Sequence, residues 1–268
     1  MRSRVSVDLL HLGPVGILFA GVLGAMIGSF LNVCILRWGG EPKRSVVSPR
    51  SRCPQCGKRL VWYDNIPVIS WLLLRARCRG CGQRISVQYP LIELATAGIW
   101  AYLAWRHGLT IEALRGAAFG TILLGIAMTD ARAYIIPDEF TWGGLVLGML
   151  LSLFGGFPGL TTAILGAAVG FGLLWLIGTV GTWIFKEDAM GGGDVKMMAM
   201  VGSFVGWQGV LLTIFLGALI GSLIFVPLLM MGKKKLVPFG VFLAIGAAVV
   251  YELGPAIIGW YTNYLTGA

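Results

Sequence analysis

Charge is what this sequence has least of. Only 12% of its 268 residues are charged, against 57% hydrophobic, whereas a soluble domain carries near 25% charge. So few ionised groups cannot cover a water-soluble globule, which excludes a single soluble enzyme, and the apolar content excludes a disordered chain. Acids are scarcer still, with 12 Asp and Glu, and there are two histidines. His11 and His107 stand at expected outer helix ends without an evident partner, so neither suits metal binding or catalysis. Nor does the N-terminus read as a good cleaved signal peptide. Arg2 and Arg4 imitate its basic start, but Asp8 and His11 interrupt it, and the apolar stretch runs on to Ile35 without a small-x-small site. The segment reads as a retained first helix.

What the chain does have is long apolar runs. Eight approach the length that crosses a bilayer, near 12–36, 89–106, 112–130, 139–155, 160–185, 195–206, 208–231 and 238–261. The sixth is short, so tilted or partly re-entrant. The expected fold is an all-α polytopic membrane protein of about eight transmembrane helices, with a small cytoplasmic zinc-ribbon-like module after the first. Its parts would be a first helix at 1–36, a polar module at 37–88 and a helical domain at 89–268. Gly24 and Gly28 make a GxxxG spacing in the first helix that permits close approach of a neighbour.

The net charge of +9 would suggest nucleic acid in a soluble protein. Position decides otherwise. Eleven of the 21 Lys and Arg residues fall between Arg37 and Arg84. If that insertion is cytoplasmic, eight crossings bring Arg132, Lys186, Lys196 and Lys233 to Lys235 to the same side. Only Arg2, Arg4, Arg106 and Arg115 are then outside, as the positive-inside rule requires. The surplus reads as a topology marker, and no nucleic-acid partner is expected.

Four of the five cysteines form Cys53-Pro-Gln-Cys56 and Cys78-Arg-Gly-Cys81, with 21 residues between the pairs. Two such knuckles suit a tetrahedral metal site, Zn²⁺ foremost. Gly57 and Gly82 follow them and allow the tight turn that frees N–H groups toward sulfur. Disulfides or redox thiols are the alternative, and cytoplasmic placement disfavours stable disulfides. With four protein ligands no position is left for a reactive water, so the metal would be structural and would supply folding energy to a small core. Cys34, alone in the first span, reads as a packed apolar thiol.

With so few acids, those at helix ends stand out. Asp130 ends the third span, and Asp194 opens the sixth after Gly191, Gly192 and Gly193. Crossing parity puts both at the cytoplasmic boundary, where an acid beside apolar helix is a functional candidate. Two carboxylates brought together can divide the work, one as base toward water and one as acid toward the scissile amide. The glycines would let an extended substrate approach. Equally, Asp194 could simply cap the next helix. Asp138, in Pro137-Asp138-Glu139, reads as a helix start, and Glu187 and Asp188 as solvated loop charges. Glu93, one turn into the second span, has no such ready explanation.

In combination these residues resemble the type IV prepilin peptidases, bacterial membrane aspartic peptidases. The resemblance runs through Gly28-Ser29-Phe30-Leu31-Asn32-Val33 with Arg37, both knuckles and the stretch Trp62 to Leu72 between them. It continues through Ile85-Ser86, Tyr89-Pro90-Leu91-Ile92-Glu93-Leu94, Asp130, Ile136-Pro137-Asp138 and the GxGD signature Gly191-Gly192-Gly193-Asp194. It implies a catalytic pair of Asp130 and Asp194, with Gly191 and Gly193 in the active-site loop. It also implies the substrate: a prepilin or type II secretion pseudopilin whose short basic leader ends in Gly ahead of a hydrophobic helix, cut at the cytoplasmic face of the inner membrane. Many members methylate the new N-terminus with S-adenosylmethionine, an activity associated with the region corresponding to 37–88; residues that bind this cofactor are not indicated. Two departures stand out. Ala76 replaces the family's glycine in Leu74-Arg75-Ala76-Arg77-Cys78, and since alanine resists a positive φ a different turn is expected. Trp38 replaces a common proline. The rival readings are a cation-coupled transporter with a structural zinc ribbon, and a presenilin-type GxGD protease, which leaves the cysteine module unexplained. Oligomeric state is not legible.

Overall fold

The computed structural model describes residues 13–40, 42–48, 51–156, 158–231 and 237–266. Arg2, Arg4, Asp8, His11, Arg50 and Lys233 to Lys235 lie outside the described residues. In order come α1 (Gly13–Trp38), a 3₁₀ turn (Trp62–Asn65), α2 (Ile69–Leu73), α3 (Gln88–His107), α4 (Ile111–Ala133), α5 (Asp138–Ser152), α6 (Leu160–Phe185), α7 (Gly192–Met230) and α8 (Phe239–Thr266). No named strand occurs among the described residues; extended pairing is confined to two isolated bridges in the polar segment. The protein is an all-helical, multi-pass membrane protein. Five helices, α1, α4, α6, α7 and α8, are long and apolar enough to cross a membrane. α3 contains Glu93 and Arg106 and is less apolar, and α5 is shorter, at 15 residues.

The expected sixth and seventh spans form one element, α7, broken at Gly206, where φ is 71°. A side chain would resist that backbone, so glycine marks the kink. α1 runs through Trp38: tryptophan keeps the N–H and α-helical freedom that a proline there would remove.

The chain divides into two compact units, residues 1–121 and 122–268, with the division falling within α4. In the first, α1 packs on α3 through the GxxxG glycines. A Cβ on Gly24 would lie 2.8 Å from the Thr96 carbonyl oxygen, and one on Gly28 2.9 Å from the Glu93 Cα. The second unit is held by the same device. A Cβ on Gly166 would collide with the Gly202 carbonyl, one on Gly202 with the Gly166 carbonyl, and one on Gly170 with the Met198 carbonyl. Without hydrophobic driving force between helices in lipid, such backbone proximity supplies the dispersion contact that holds them. The amino-terminal part of α7 fills the interior, with Met197, Met198, Met200 and Val201 fully buried.

Candidate functional sites

In the first unit the two cysteine knuckles are built alike. The Cys53 N–H donates to the Lys58 carbonyl at 2.9 Å and the Gly57 N–H to the Cys53 carbonyl at 3.0 Å; Cys78 with Gln83, and Gly82 with Cys78, repeat this at 2.8 and 2.9 Å. Gly57 and Gly82 take φ of 68° and 71°, as the turn demands. Bridges Arg52 to Arg59 and Arg77 to Arg84 close each loop. The sulfurs of Cys53, Cys56, Cys78 and Cys81 lie within 4.8 Å of one another, and the Cys53 and Cys81 sulfurs are 3.8 Å apart. That separation is far beyond a disulfide's ~2.05 Å. It equals the edge of ~3.8 Å that a tetrahedron with metal–sulfur bonds of ~2.3 Å would have. The cluster fits a metal ion.

The thiols are unequal before any metal is considered. N–H groups of Cys56 and Gln55 hold Cys53 down to about 6, and those of Cys81 and Gly80 lower Cys78. For Cys81 the Gln83 N–H acts in the same lowering sense, but lost hydration and the sulfurs of Cys56, Cys78 and Cys53 push it up to about 11. Four thiolates this close repel, and a cation at the centre removes that conflict.

The expectation of a different turn at Ala76 is corrected. Ala76 takes φ of 57°, directly after Arg75 at 50°. Its N–H donates to the Trp71 carbonyl at 2.8 Å, and its own carbonyl accepts from the Ile85 N–H at 2.7 Å. Those two bonds hold a glycine-type conformation on an alanine, at a cost of about 1–2 kcal/mol. Glu93 is also explained: buried in α3, it accepts the Val68 N–H through Oε2 at 2.8 Å. Cys34 is a buried free thiol, as expected. His107 does have a neighbour, Glu112, at 3.9 Å.

In the second unit Asp130 and Asp194 come from separate helix ends. Asp130 lies three residues before the end of α4 and is 5% exposed. Its Oδ2 accepts the Val241 N–H at 3.1 Å, and the Gly240 N–H also faces it. These are first-turn donors of α8, at the positive end of the helix dipole, and the Val241 N–H is shared with the Pro238 carbonyl at 3.2 Å. A Cβ on Gly240 would lie 2.9 Å from Asp130 Oδ2 and 2.8 Å from Ile136 Cδ1, so glycine is required for the carboxylate to sit there. Ile136 also limits Gly193, whose Cβ would be 2.9 Å from its own. One side chain therefore packs against both the start of α7, which carries Asp194, and the start of α8, which faces Asp130.

Asp194 does not cap α7. The capping position is Gly191, and Asp194 stands in the first turn. Its N–H donates to the Gly191 carbonyl at 3.1 Å, while Oδ1 is buried without a hydrogen-bond partner. Asp130 is near enough to act on it electrostatically. Asp138 does begin α5, but Pro137 occupies the cap, and the Asp138 carboxylate binds Lys196 Nζ at 2.8 Å. That pair ties the start of α5 to α7 two residues beyond Asp194. Gly240 and Val241 escaped the sequence reading, although a glycine in the first helical turn after Pro238 is an unfavourable choice that needs a reason.

Fold and sites together define a multi-pass membrane protein with two acids gathered at helix ends and a four-thiol cluster in its polar insertion. Residues 22–107 match the Bacterial Peptidase A24 N-terminal domain, and residues 117–226 match the Type IV leader peptidase family. A Myxococcus xanthus protein named prepilin leader peptidase/N-methyltransferase is 40% identical over 220 residues, covering 82% of this chain and 65% of that protein. Proteins of the same name from Pseudomonas putida and Neisseria gonorrhoeae are 36% and 31% identical. The alignments cover 90% and 96% of this chain and 92% and 98% of theirs. No solved structure matches the chain. The chain belongs to the type IV leader peptidase family.

Proposed function

We propose that this protein removes the basic leader from type IV prepilins or type II secretion pseudopilins and N-methylates the residue thereby exposed. The reading rests on one observation above all: Asp130 and Asp194, far apart in sequence, lie within electrostatic reach at the ends of α4 and α7. Asp130, accepting N–H groups from α8, takes the part of the base that removes a proton from the attacking water. Asp194, whose Oδ1 has no donor, takes the part of the acid that protonates the leaving amide nitrogen. Gly191 and Gly193 keep side chains out of the loop beside Asp194, where an extended leader junction must pass. The transport reading has no support, since both acids stand at helix ends rather than in the middle of a span, where transporter sites lie.

The cysteine cluster holds a structural Zn²⁺ through Cys53, Cys56, Cys78 and Cys81, the donor set that this ion favours in closed sites. S-adenosylmethionine would supply the methyl group. The only carboxylate among the described residues of 37–88 is Asp64, already engaged by Arg79 at 3.1 Å, so no residue is assigned to that cofactor. The methyltransferase half thus rests on family membership. Module and acids both face the cytoplasm across the bacterial inner membrane, by the asymmetry of Lys and Arg between the loops. Cleavage of a pilin by reconstituted enzyme, followed by mass spectrometry, tests both halves. Loss of the leader reports the peptidase, and a further gain of about 14 Da, one CH₂ of the kind a methyl-for-hydrogen exchange adds, reports the methyl group. An Asp130→Asn or Asp194→Asn enzyme that retained near-normal turnover would falsify the acid pair.

A further inference from the structure

The first unit contains a short helix whose apolar face is turned outward. In α2, Ile69, Leu72 and Leu73 recur at i, i+3 and i+4, on one side of the helix, and are 55%, 60% and 78% exposed. The remaining positions are occupied locally. The Ser70 hydroxyl donates to the Ile66 carbonyl at 2.7 Å, and Trp71 Nε1 donates to the Ile85 carbonyl at 3.3 Å. Trp62, in the 3₁₀ turn that contacts α2, is 79% exposed. A polar segment surrounded by water would bury such side chains, and contiguous exposed apolar groups mark an interaction surface.

The surroundings say what covers it. Val68, which starts α2, takes φ of 60°, a value a β-branched residue rarely adopts. In that conformation its N–H reaches Glu93 Oε2. The Glu93 Cα lies against Gly28 of α1, ten residues before the end of that helix at Trp38, or ~15 Å along its axis at 1.5 Å per residue. The apolar run of α1 ends at Leu36, ahead of Arg37, so the hydrocarbon boundary falls near Ile35 and Leu36, seven to eight residues or ~10–12 Å beyond Gly28. Gly28 and the Glu93 backbone are therefore ~10 Å inside the boundary. A glutamate side chain reaches only ~5 Å, so α2 begins at or below that boundary. The charges beside it agree: Arg75 and Arg77 follow α2 directly, Arg84 closes the second knuckle, and Asp64 is engaged by Arg79.

We propose that α2 is a lipid-inserted anchor. Its Ile69, Leu72 and Leu73 face, together with Trp62, lies among the acyl chains of the leaflet next to the thiol module, and Arg75, Arg77 and Arg84 meet anionic headgroups. Glu93 is the residue that positions it, by fixing the strained start of α2 at that depth. The anchor holds the thiol cluster against the membrane surface and is independent of the acid pair.

The test uses the full chain, with its metal, in vesicles of phosphatidylethanolamine and phosphatidylglycerol. p-Benzoylphenylalanine replaces Leu72 or Leu73, the sample is irradiated, and the products are read by intact-protein mass spectrometry. Lipid adducts at both positions are expected, with a yield that falls at least several-fold when phosphatidylcholine replaces phosphatidylglycerol. Adducts only to another copy of the chain, or to no lipid, would overturn the anchor, and a yield indifferent to headgroup charge would overturn the role of the arginines. A Leu72→Asp/Leu73→Asp double variant supplies a second readout. Trypsin should cut after Arg75 and Arg77 at least several-fold faster in this variant than in the parent, and equal rates would count against insertion.

Discussion

The thiol module and the helices that carry the two acids are ordered by opposite means. The module's knuckles are local: the bonds and bridges that shape them join residues no more than nine positions apart, and the same loop is written twice. On the proposed zinc site, one central ion joins the two loops into a unit. The acid site contains almost nothing local. Asp130 is held by a helix that begins more than a hundred residues later, and Ile136 packs toward both Gly193 and Gly240. The module should therefore fail by losing an ion, and the acid site by small displacements of packed backbone.

The largest expected effect separates the two regions chemically. On the proposed mechanism Asp194→Asn removes one half of the acid–base pair and should lower cleavage by about 10²–10⁴-fold, while the content of any metal held by the thiols, measured by atomic emission, stays unchanged. A coupled loss of metal would show that the regions are not separable.

Next comes the converse. Cys53→Ser should take bound zinc from about one per chain to well below that, since a structural site needs all four ligands. The knuckle segment should then become sensitive to protease while the helices keep their circular dichroism. Retention of stoichiometric metal would remove the tetrahedral site from consideration.

A subtler lesion belongs at the start of α8. Gly240→Ala places a methyl group against the Asp130 carboxylate and Ile136, and a displacement of ~1 Å can cost about 100-fold in rate. Turnover should fall 10- to 100-fold with KM little altered. The double variant Gly240→Ala/Ile136→Ala relieves only the contact with isoleucine. If it recovers full activity, the carboxylate was not what the methyl group disturbed.

Smallest is Ala76→Gly. Glycine takes the left-handed conformation without the alanine's strain but loses more entropy on folding, so the net gain is about 0.5–1 kcal/mol. Amide exchange across 74–85 should slow by a corresponding few-fold. Slower exchange in the alanine parent than in the variant would mean that the turn is not strained.

Much of this was legible beforehand because it follows from composition and short spacing. The apolar runs mark the helices, and even the break at Gly206 falls where two spans were expected to meet. The knuckles could be recognised because CxxC followed by glycine specifies its own turn. Gly24 and Gly28 in the first span foreshadowed the contact with Thr96 and Glu93. Ala76 misled, because propensity forbids what two backbone hydrogen bonds enforce. Asp194 left capping and catalysis open, and only the third dimension put Gly191 in the capping position.

The sequence by itself determined the membrane-spanning helical class, the four-thiol cluster and which acids were worth weighing. These depend on hydrophobic run length, charge scarcity and turns of a few residues, all properties of neighbours along the chain. Tertiary structure decided that α8 offers its first-turn N–H groups to Asp130, that Gly240 must lack a side chain and that Asp138 belongs to Lys196. It also decided that Glu93 reaches back to Val68 and sets the depth of an outward apolar helix. Such contacts join residues tens to more than a hundred positions apart, and the chain's local preferences contain no term that selects one distant partner over another. That choice is made by packing.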